Sequence, residues 1–300
     1  MKRSRIADAG LLLVALMWGC TFLIVQHAVR VLPPLAFNGI RFIGAALLLL
    51  LIIGIFYRSE LRKLSWPMVG HAVILGGLLF LGYGFQTVGL LYTTTSNTGF
   101  ITGLSVVLVP LFSLLLLKTP ITRFTLGSIV LAAIGLYLLA FAESGYTMNR
   151  GDLLVFLCAI AFALHVAYTG VFAPKYPALP LTALQMAVVG ILSLLGSAFT
   201  EQVGSLEQVI PLLWKSEVLW ALCISIGPTS AFAFWIQTSC QKYTSPARVA
   251  VIFAMEPVFA AITGVLFGGE ILGMAAIVGC GCILAGMLLS ELKSPNLKVQ

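Results

Sequence analysis

The sequence predicts an all-α integral membrane fold of ten transmembrane helices, arranged as two inverted five-helix repeats. Three observations carry the expectation: long runs nearly free of charge, a one-sided distribution of basic residues over alternate loops, and a match between the two halves at a nearly constant offset.

The runs come first. Of 300 residues, 60% are hydrophobic and 9% charged, with a mean hydropathy of +1.07. A soluble domain carries roughly 25% charged residues. Gly10–Val25, Phe42–Phe56, Ala72–Leu91, Thr98–Leu117 and Val249–Gly269 each approach the ~20 apolar residues that cross a bilayer. Spans are expected at 8–27, 34–56, 69–91, 96–117, 122–141, 152–172, 181–199, 217–238, 247–267 and 271–290. Pro33, Pro34, Pro120, Pro177, Pro180, Pro211 and Pro246 punctuate the joins, where helix breakers belong. The segment after Met1-Lys-Arg-Ser-Arg resembles a signal peptide. With no A-x-A-like site behind it and Trp18 inside the apolar run, it is expected to stay as the first span.

Loop charges set the orientation. One side holds Lys2, Arg3, Arg5, Arg58, Arg62, Lys63, Lys118, Arg123, Lys175, Lys242, Lys293 and Lys298, twelve in all, and the other only Arg30, Arg150 and Lys215. Cytoplasmic loops carry the excess of Lys and Arg, so both termini are expected in the cytoplasm of a multi-pass cell-membrane protein. The net charge of +7 is read as this bias and not as a nucleic-acid footprint. Trp66, Trp214 and Trp220 fall near span ends, as interfacial tryptophans do. The six cysteines form no C-x-x-C pair, so neither a metal nor a cofactor is expected.

The halves match next. Gln86, Thr87, Tyr92 and Thr93 recur as Gln237, Thr238, Tyr243 and Thr244, an offset of 151 shared by Gly76 with Gly227 and by Gly135 with Gly286. Pro34-Leu35 and Gly44 pair with Pro180-Leu181 and Gly190, and Asp8 precedes Trp18 by the same ten residues as Asp152 precedes Phe162. Repeats of five spans must enter the membrane from opposite sides. Inverted repeats belong to carriers whose site lies near the midplane between the halves.

With these residues assembled, the chain resembles the drug/metabolite transporter superfamily, in particular its EamA-like members, as two units over 8–141 and 152–290. The carriers of the resemblance are Ala15-Leu-Met-Trp18-Gly19, Arg41-Phe42 and Val109-Pro110-Leu111-Phe112 in the first half. In the second they are Glu256-Pro257-Val258-Phe259, Gly269-Glu270 and Gly279…Gly286. Phe162 stands where a Trp is common, and Lys118-Thr119 where the family often has Gly-Glu. The resemblance implies a carrier, often an exporter, for amino acids, other metabolites or drugs.

Polar residues inside apolar spans single themselves out, because a charge mid-bilayer costs at least ~2.5–3.5 kcal/mol on insertion scales. The candidate substrate-binding residues are Trp18, Asn38, Arg41, Gln86, Asn97, His165, Trp235, Gln237 and Glu256. Arg41 reads as a clamp on carbonyls or as an anion-attracting group. Glu256 reads as a structural partner of Arg41, or as a site for a substrate ammonium or a proton, and an encounter of the two in some state is expected. Arg248 is expected to reach the inner interface. Tyr83, Phe85 and Phe234 beside the amides, with Trp18 and Trp235, suit an aromatic wall around a small ligand or plain core packing. His165 reads as a packing histidine or a proton-sensitive one. Gly99-x-x-x-Gly103 and Gly264-x-x-x-Gly268 hold the bundle or a homodimer.

Other classes lack their signatures. There is no G-x-S-x-G elbow or H-E-x-x-H helix for an intramembrane enzyme, no ring of like groups for a channel, no soluble domain for a sensor and no Walker A loop for ATP. The expected partners are a small-molecule substrate and the lipid bilayer.

Overall fold

The computed structural model describes residues 2–93, 95–118, 121–141, 149–201, 206–268 and 272–292, and no strand occurs among them. Gly269-Glu270, Thr119, the connection before Asn149 and the C-terminal lysines lie outside the described residues. In chain order the helices are α1 (Lys2–Gly19), α2 (Phe22–Val31), α3 (Pro34–Phe56), α4 (Arg58–Leu61), α5 (Trp66–Gly89), α6 (Thr95–Gly103), α7 (Ser105–Leu117) and α8 (Arg123–Phe141). The second half holds α9 (Arg150–Phe172), α10 (Ala178–Thr200), α11 (Leu206–Leu213), α12 (Ser216–Ile226), α13 (Ala233–Cys240), α14 (Pro246–Phe253), α15 (Glu256–Gly268) and α16 (Met274–Leu292).

Among the described residues, seven stretches can cross a membrane by length and composition, and eight if the bent pair α1–α2 counts as one span. Two further apolar stretches, Arg123–Leu139 and Met274–Ser290, are shorter. Trp66, Trp214 and Trp220 are all exposed near helix ends, as expected of interfacial anchors.

The helix starts follow local chemistry. Pro34, Pro67 and Pro246 occupy first-turn positions, where a missing N–H costs nothing. Asn149 and Asp152 form a reciprocal capping box on α9, at 3.0 and 2.9 Å. Glu201, at the end of α10, accepts hydrogen bonds from the Leu35 and Ala36 amides at 2.7 and 2.9 Å. A carboxylate thus sits on the positive end of α3. Lys118 ends α7 in the left-handed region, with φ of 54°.

Several apolar stretches are interrupted. Between α1 and α2 the chain turns by 41°, and Thr21 Oγ1 donates back to the Met17 and Trp18 carbonyls. Such back-bonding bends helices. A break at Leu104 separates α6 from α7, and one at Ala254–Met255 separates α14 from α15. Positions 104 and 255 differ by the sequence offset of 151. Residues Gly227–Phe232 form a wide π turn between α12 and α13.

Two close helix pairs frame the bundle, α3 with α10 and α8 with α16. A Cβ at Gly135 would stand 2.5 Å from the Gly279 carbonyl, and one at Gly279 2.6 Å from that of Gly135. Gly190 likewise admits the backbone of Ile43, and Gly39 the Leu194 side chain. Small residues let backbones approach this closely. Gly99 does otherwise: no atom comes within 4 Å of its would-be Cβ, so it opens space where the sequence motif suggested contact.

Candidate functional site

Between these pairs lies a cavity of about 930 Å3, counting its open mouth. Its walls come from α1–α2, α3, α5, α6–α7, α9, α13 and α14–α15, so both halves of the chain contribute. On one side the lining reaches Val25, Leu90 and Gly99. On the other it stops at Ser105, Val166 and Phe253, and beyond these Leu11, Val106, Val109, Val249 and Ile252 form a buried apolar plug. The cavity is therefore open toward one end and sealed at the other.

Aromatic rings build one wall. Trp18 lies 5.2 Å from Phe234 and 5.1 Å from Phe253, centroid to centroid. Tyr83 lies 5.0 Å from both Phe42 and Phe162. Gly82 leaves the room that the Phe162 ring fills. The Trp18 indole N–H donates to the Thr229 carbonyl at 2.9 Å, which gives a half-buried indole its partner.

Arg41 is buried against this wall, with its guanidinium carbon 4.9 Å from the centroids of both Phe42 and Tyr83. Its Nε donates to Ser230 Oγ at 2.7 Å, and Nη2 reaches Thr229 Oγ1 at 3.5 Å. Both hydroxyls belong to the π turn. The guanidinium has five donors in a fixed fork, and the π turn engages two of them. Glu256 begins α15, lines the same cavity and has no hydrogen-bond or ionic partner among the described residues. Arg41 and Glu256 thus share a cavity without pairing in this conformation.

The amides are placed with similar economy. Gln86 donates to Thr102 Oγ1 at 3.2 Å. Gln237 donates to Gln241 Oε1 at 3.1 Å, and Gln241 in turn donates to the Val166 carbonyl at 3.0 Å. The Gln237 Oε1 atom is buried with no partner among the described residues. His165 is held through Nε2 by Gln185 Oε1 at 3.1 Å, and Gln185 donates to Thr238 at 3.3 Å.

Six of the nine sequence candidates therefore line one cavity: Trp18, Arg41, Gln86, His165, Gln237 and Glu256. Three do not. Asn38 is buried between α3 and α5, donating to Thr87 Oγ1 at 3.0 Å and to the Tyr83 carbonyl at 3.3 Å. Trp235 turns away from the cavity and packs against Phe232, because its neighbour Phe234 takes the inward position. Asn97 sits at the start of α6, where it and Thr93 meet the Asp152 carboxylate at 3.5 and 2.6 Å.

Arg248 also departs from expectation. It forms a 2.7 Å ion pair with Asp8, which Thr244 joins at 3.3 Å. Its charge is balanced inside the bundle by a buried carboxylate. Sequence reading missed Phe253, Thr102 and the π-turn hydroxyls of Thr229 and Ser230. Only the Gly227-Pro228 pair hints at the last of these, as a point where helix geometry is disturbed.

The sequence model of the EamA-like transporter family matches residues 5–141 and 149–292. An uncharacterized transporter of Archaeoglobus fulgidus is 34% identical over 96% of this chain and 86% of its own length. The uncharacterized transporter YvbV of Bacillus subtilis is 24% identical over 98% and 95%. The uncharacterized inner membrane transporter YedA of Escherichia coli is 26% identical over 92% and 88%. One crystal structure superposes with a TM-score of 0.79 over 96% of this chain and 97% of its own, at 20% identity, which shows a shared fold. These matches run almost end to end through both halves: this multi-pass membrane protein belongs to the EamA-like transporter family.

Proposed function

We propose that the protein is a secondary carrier that exports small metabolites such as amino acids, or drug-like compounds, across the cell membrane by alternating access. One observation carries the reading: a cavity built by both halves, sealed at one end, holds a guanidinium and a carboxylate that do not neutralise each other. An aromatic wall with separate positive and negative poles suits a small amphipathic ligand, a zwitterion or an amine above all. A carrier needs a site closed on one side at a time. A through-pore would have no use for the plug of Val106, Val109, Val249 and Ile252.

The reading takes the chain as ten spans in two inverted repeats, over 8–141 and 152–290. In it α1–α2 forms span 1, α6–α7 span 4, α12–α13 span 8 and α14–α15 span 9, with α8 and α16 as the short fifth and tenth. Internal correspondences support it. Asp8 with Thr244 and Arg248 is answered by Asp152 with Thr93 and Asn97, at the offsets of 144 and 151 that relate the halves. With both termini cytoplasmic, the open end of the cavity faces outward. Trp18, Arg41, Gln86, His165, Gln237 and Glu256 make the binding site.

The test is reconstitution into liposomes with a screen of amino acids, amines and nucleobases, with and without a proton gradient. Accumulation or counterflow of one class supports the reading. Uncoupled flux of many ions, with no saturation, would replace the carrier by a channel.

A further inference from the structure

When two inverted repeats alternate, the local geometry of one half previews what the other half adopts in the opposite conformer. The sharpest difference between the halves lies in spans 1 and 6. Span 1 turns by 41° between α1 and α2, at Cys20–Thr21. Its counterparts 164 and 165, at the offset of 144, lie inside α9, which runs unbroken from Arg150 to Phe172.

The sequence supplies the cause. A Cβ at Gly19 would stand 2.5 Å from the Glu256 carbonyl and 2.8 Å from Phe259 Cβ. Only glycine lets α1 lie this close to the start of α15. The counterpart is Ala163, fully buried and bearing the methyl that Gly19 lacks. Two residues on, Thr21 bonds back to its own helix, whereas its counterpart His165 is drawn sideways to Gln185. The partners differ as well. Beyond the bend, α2 leans on α12 and only lightly on α3 and α6, while α9 packs chiefly on α5 and also on α6, α7 and α14, the last two at the sealed end. The bent span borders the open end and the straight span the closed end.

We infer that α2 is the outer gate of the carrier, hinged at Cys20–Thr21, an assignment that rests on the proposed inverted-repeat carrier. Straightening span 1 brings Thr21, Phe22 and Val25 over the cavity, and a matching bend at Leu164–His165 opens the opposite end. The movement is large enough to matter. Ten residues of helix reach about 15 Å at the helical rise, so a 41° turn displaces the tip of α2 by about 10 Å.

The experiment uses the full chain in liposomes, with the six native cysteines replaced by alanine. Nitroxides at Arg30→Cys and Phe199→Cys report the tip of α2 against the end of α10 by double electron–electron resonance. Single cysteines at Val25 and Thr169 report access to the two ends of the cavity from an impermeant thiol reagent on either side. Two distance populations separated by up to about 10 Å are expected. Gly19→Ala removes room for the bend and should shift the balance to the straight form, slowing modification of Val25→Cys about five-fold and speeding that of Thr169→Cys. Ala163→Gly only deletes a methyl, so it keeps the test open should Gly19→Ala fail to fold, and it should shift the balance the same way by freeing the counterpart bend.

A single distance population, unmoved by either variant while Thr169→Cys gains access, would overturn the hinge and leave alternating access standing. A single population with Thr169→Cys unreactive throughout would remove both.

Discussion

Asp8 and Arg248 stand 240 residues apart in sequence and 2.7 Å apart in space, both buried between the starts of α1 and α14. Each offsets the other's charge in a low-dielectric bundle. Removing one partner of a buried pair costs ~3–5 kcal/mol, most of it the penalty on the charge left behind. Arg248→Gln or Asp8→Asn is therefore expected to lower the unfolding temperature of the detergent-solubilised protein markedly. The double variant Asp8→Asn, Arg248→Gln should recover most of that loss. Additive losses in the double variant would show that the two side chains act independently.

Gly135 faces the Gly279 backbone, so a methyl there has nothing flexible to displace. Gly135→Ala should destabilise the α8–α16 pair by about 1–3 kcal/mol, the usual cost of overpacking. Gly227→Ala, with no atom within 4 Å of the new methyl, should stay within about 0.5 kcal/mol of the parent. Thermal unfolding by size-exclusion survival ranks the two, and equal losses would contradict the packing described.

Glu256→Gln keeps shape and removes the cavity's negative pole. Substrate transport should fall by an order of magnitude or more, at little cost in stability, since no protein cation depends on that carboxylate here. A loss of about 1.4 kcal/mol per tenfold change in affinity should appear in competition binding for amine-bearing substrates, and for these first. If Arg41 and Glu256 meet in another state of the cycle, adding Arg41→Gln to Glu256→Gln should restore stability lost in that state without restoring transport. Normal transport by Glu256→Gln would remove that residue from the site.

Gln86→Leu and Gln237→Leu exchange an amide for a side chain of similar volume. Both should fold and alter substrate affinity. Gln237→Leu should act more strongly, because the parent oxygen of this cavity-lining residue is buried without a partner among the described residues. Unchanged affinity and rate in both variants would place the binding site elsewhere.

Orientation can be read with single cysteines at Ser59 and Tyr146 in the cysteine-free background. An impermeant reagent outside the cell should modify Tyr146→Cys and spare Ser59→Cys. Equal modification of the two would be incompatible with termini on the cytoplasmic side and with inverted halves.

Helix positions were legible because a membrane forces them to be. Runs without charge and prolines at the joins locate most helices to within a few residues. Gln86 and Gln237 were legible as a pair because they match at the sequence offset of 151, and both line the cavity. Spacing along a chain does not fix rotation about a helix, and there the sequence misleads. Phe234 and Trp235 are neighbours, but only one can point inward, and the π turn just before them resets which. Asn38 and Asn97 looked like cavity groups because a polar atom in an apolar run demands a partner. Their partners are ordinary side chains: Thr87, which itself lines the cavity, and Asp152 in the first turn of α9. The Asp8–Arg248 pair left one faint sign, the matched spacing of Asp8 and Asp152, which located the residues without revealing what they bind.

The glycine-closed pairs α3–α10 and α8–α16 have a mechanical consequence. Backbones in contact cannot slide past one another without losing many contacts at once, so each pair behaves as a stiff post. Glu201 adds a rivet at one end of the first, bonding the end of α10 to the start of α3. A machine with two fixed posts confines its travel to the helices between them, and those, α3 apart, are the ones that wall the cavity. Amide hydrogen exchange should then divide the molecule into a slow frame and a fast interior, the reverse of a soluble protein, whose centre exchanges last.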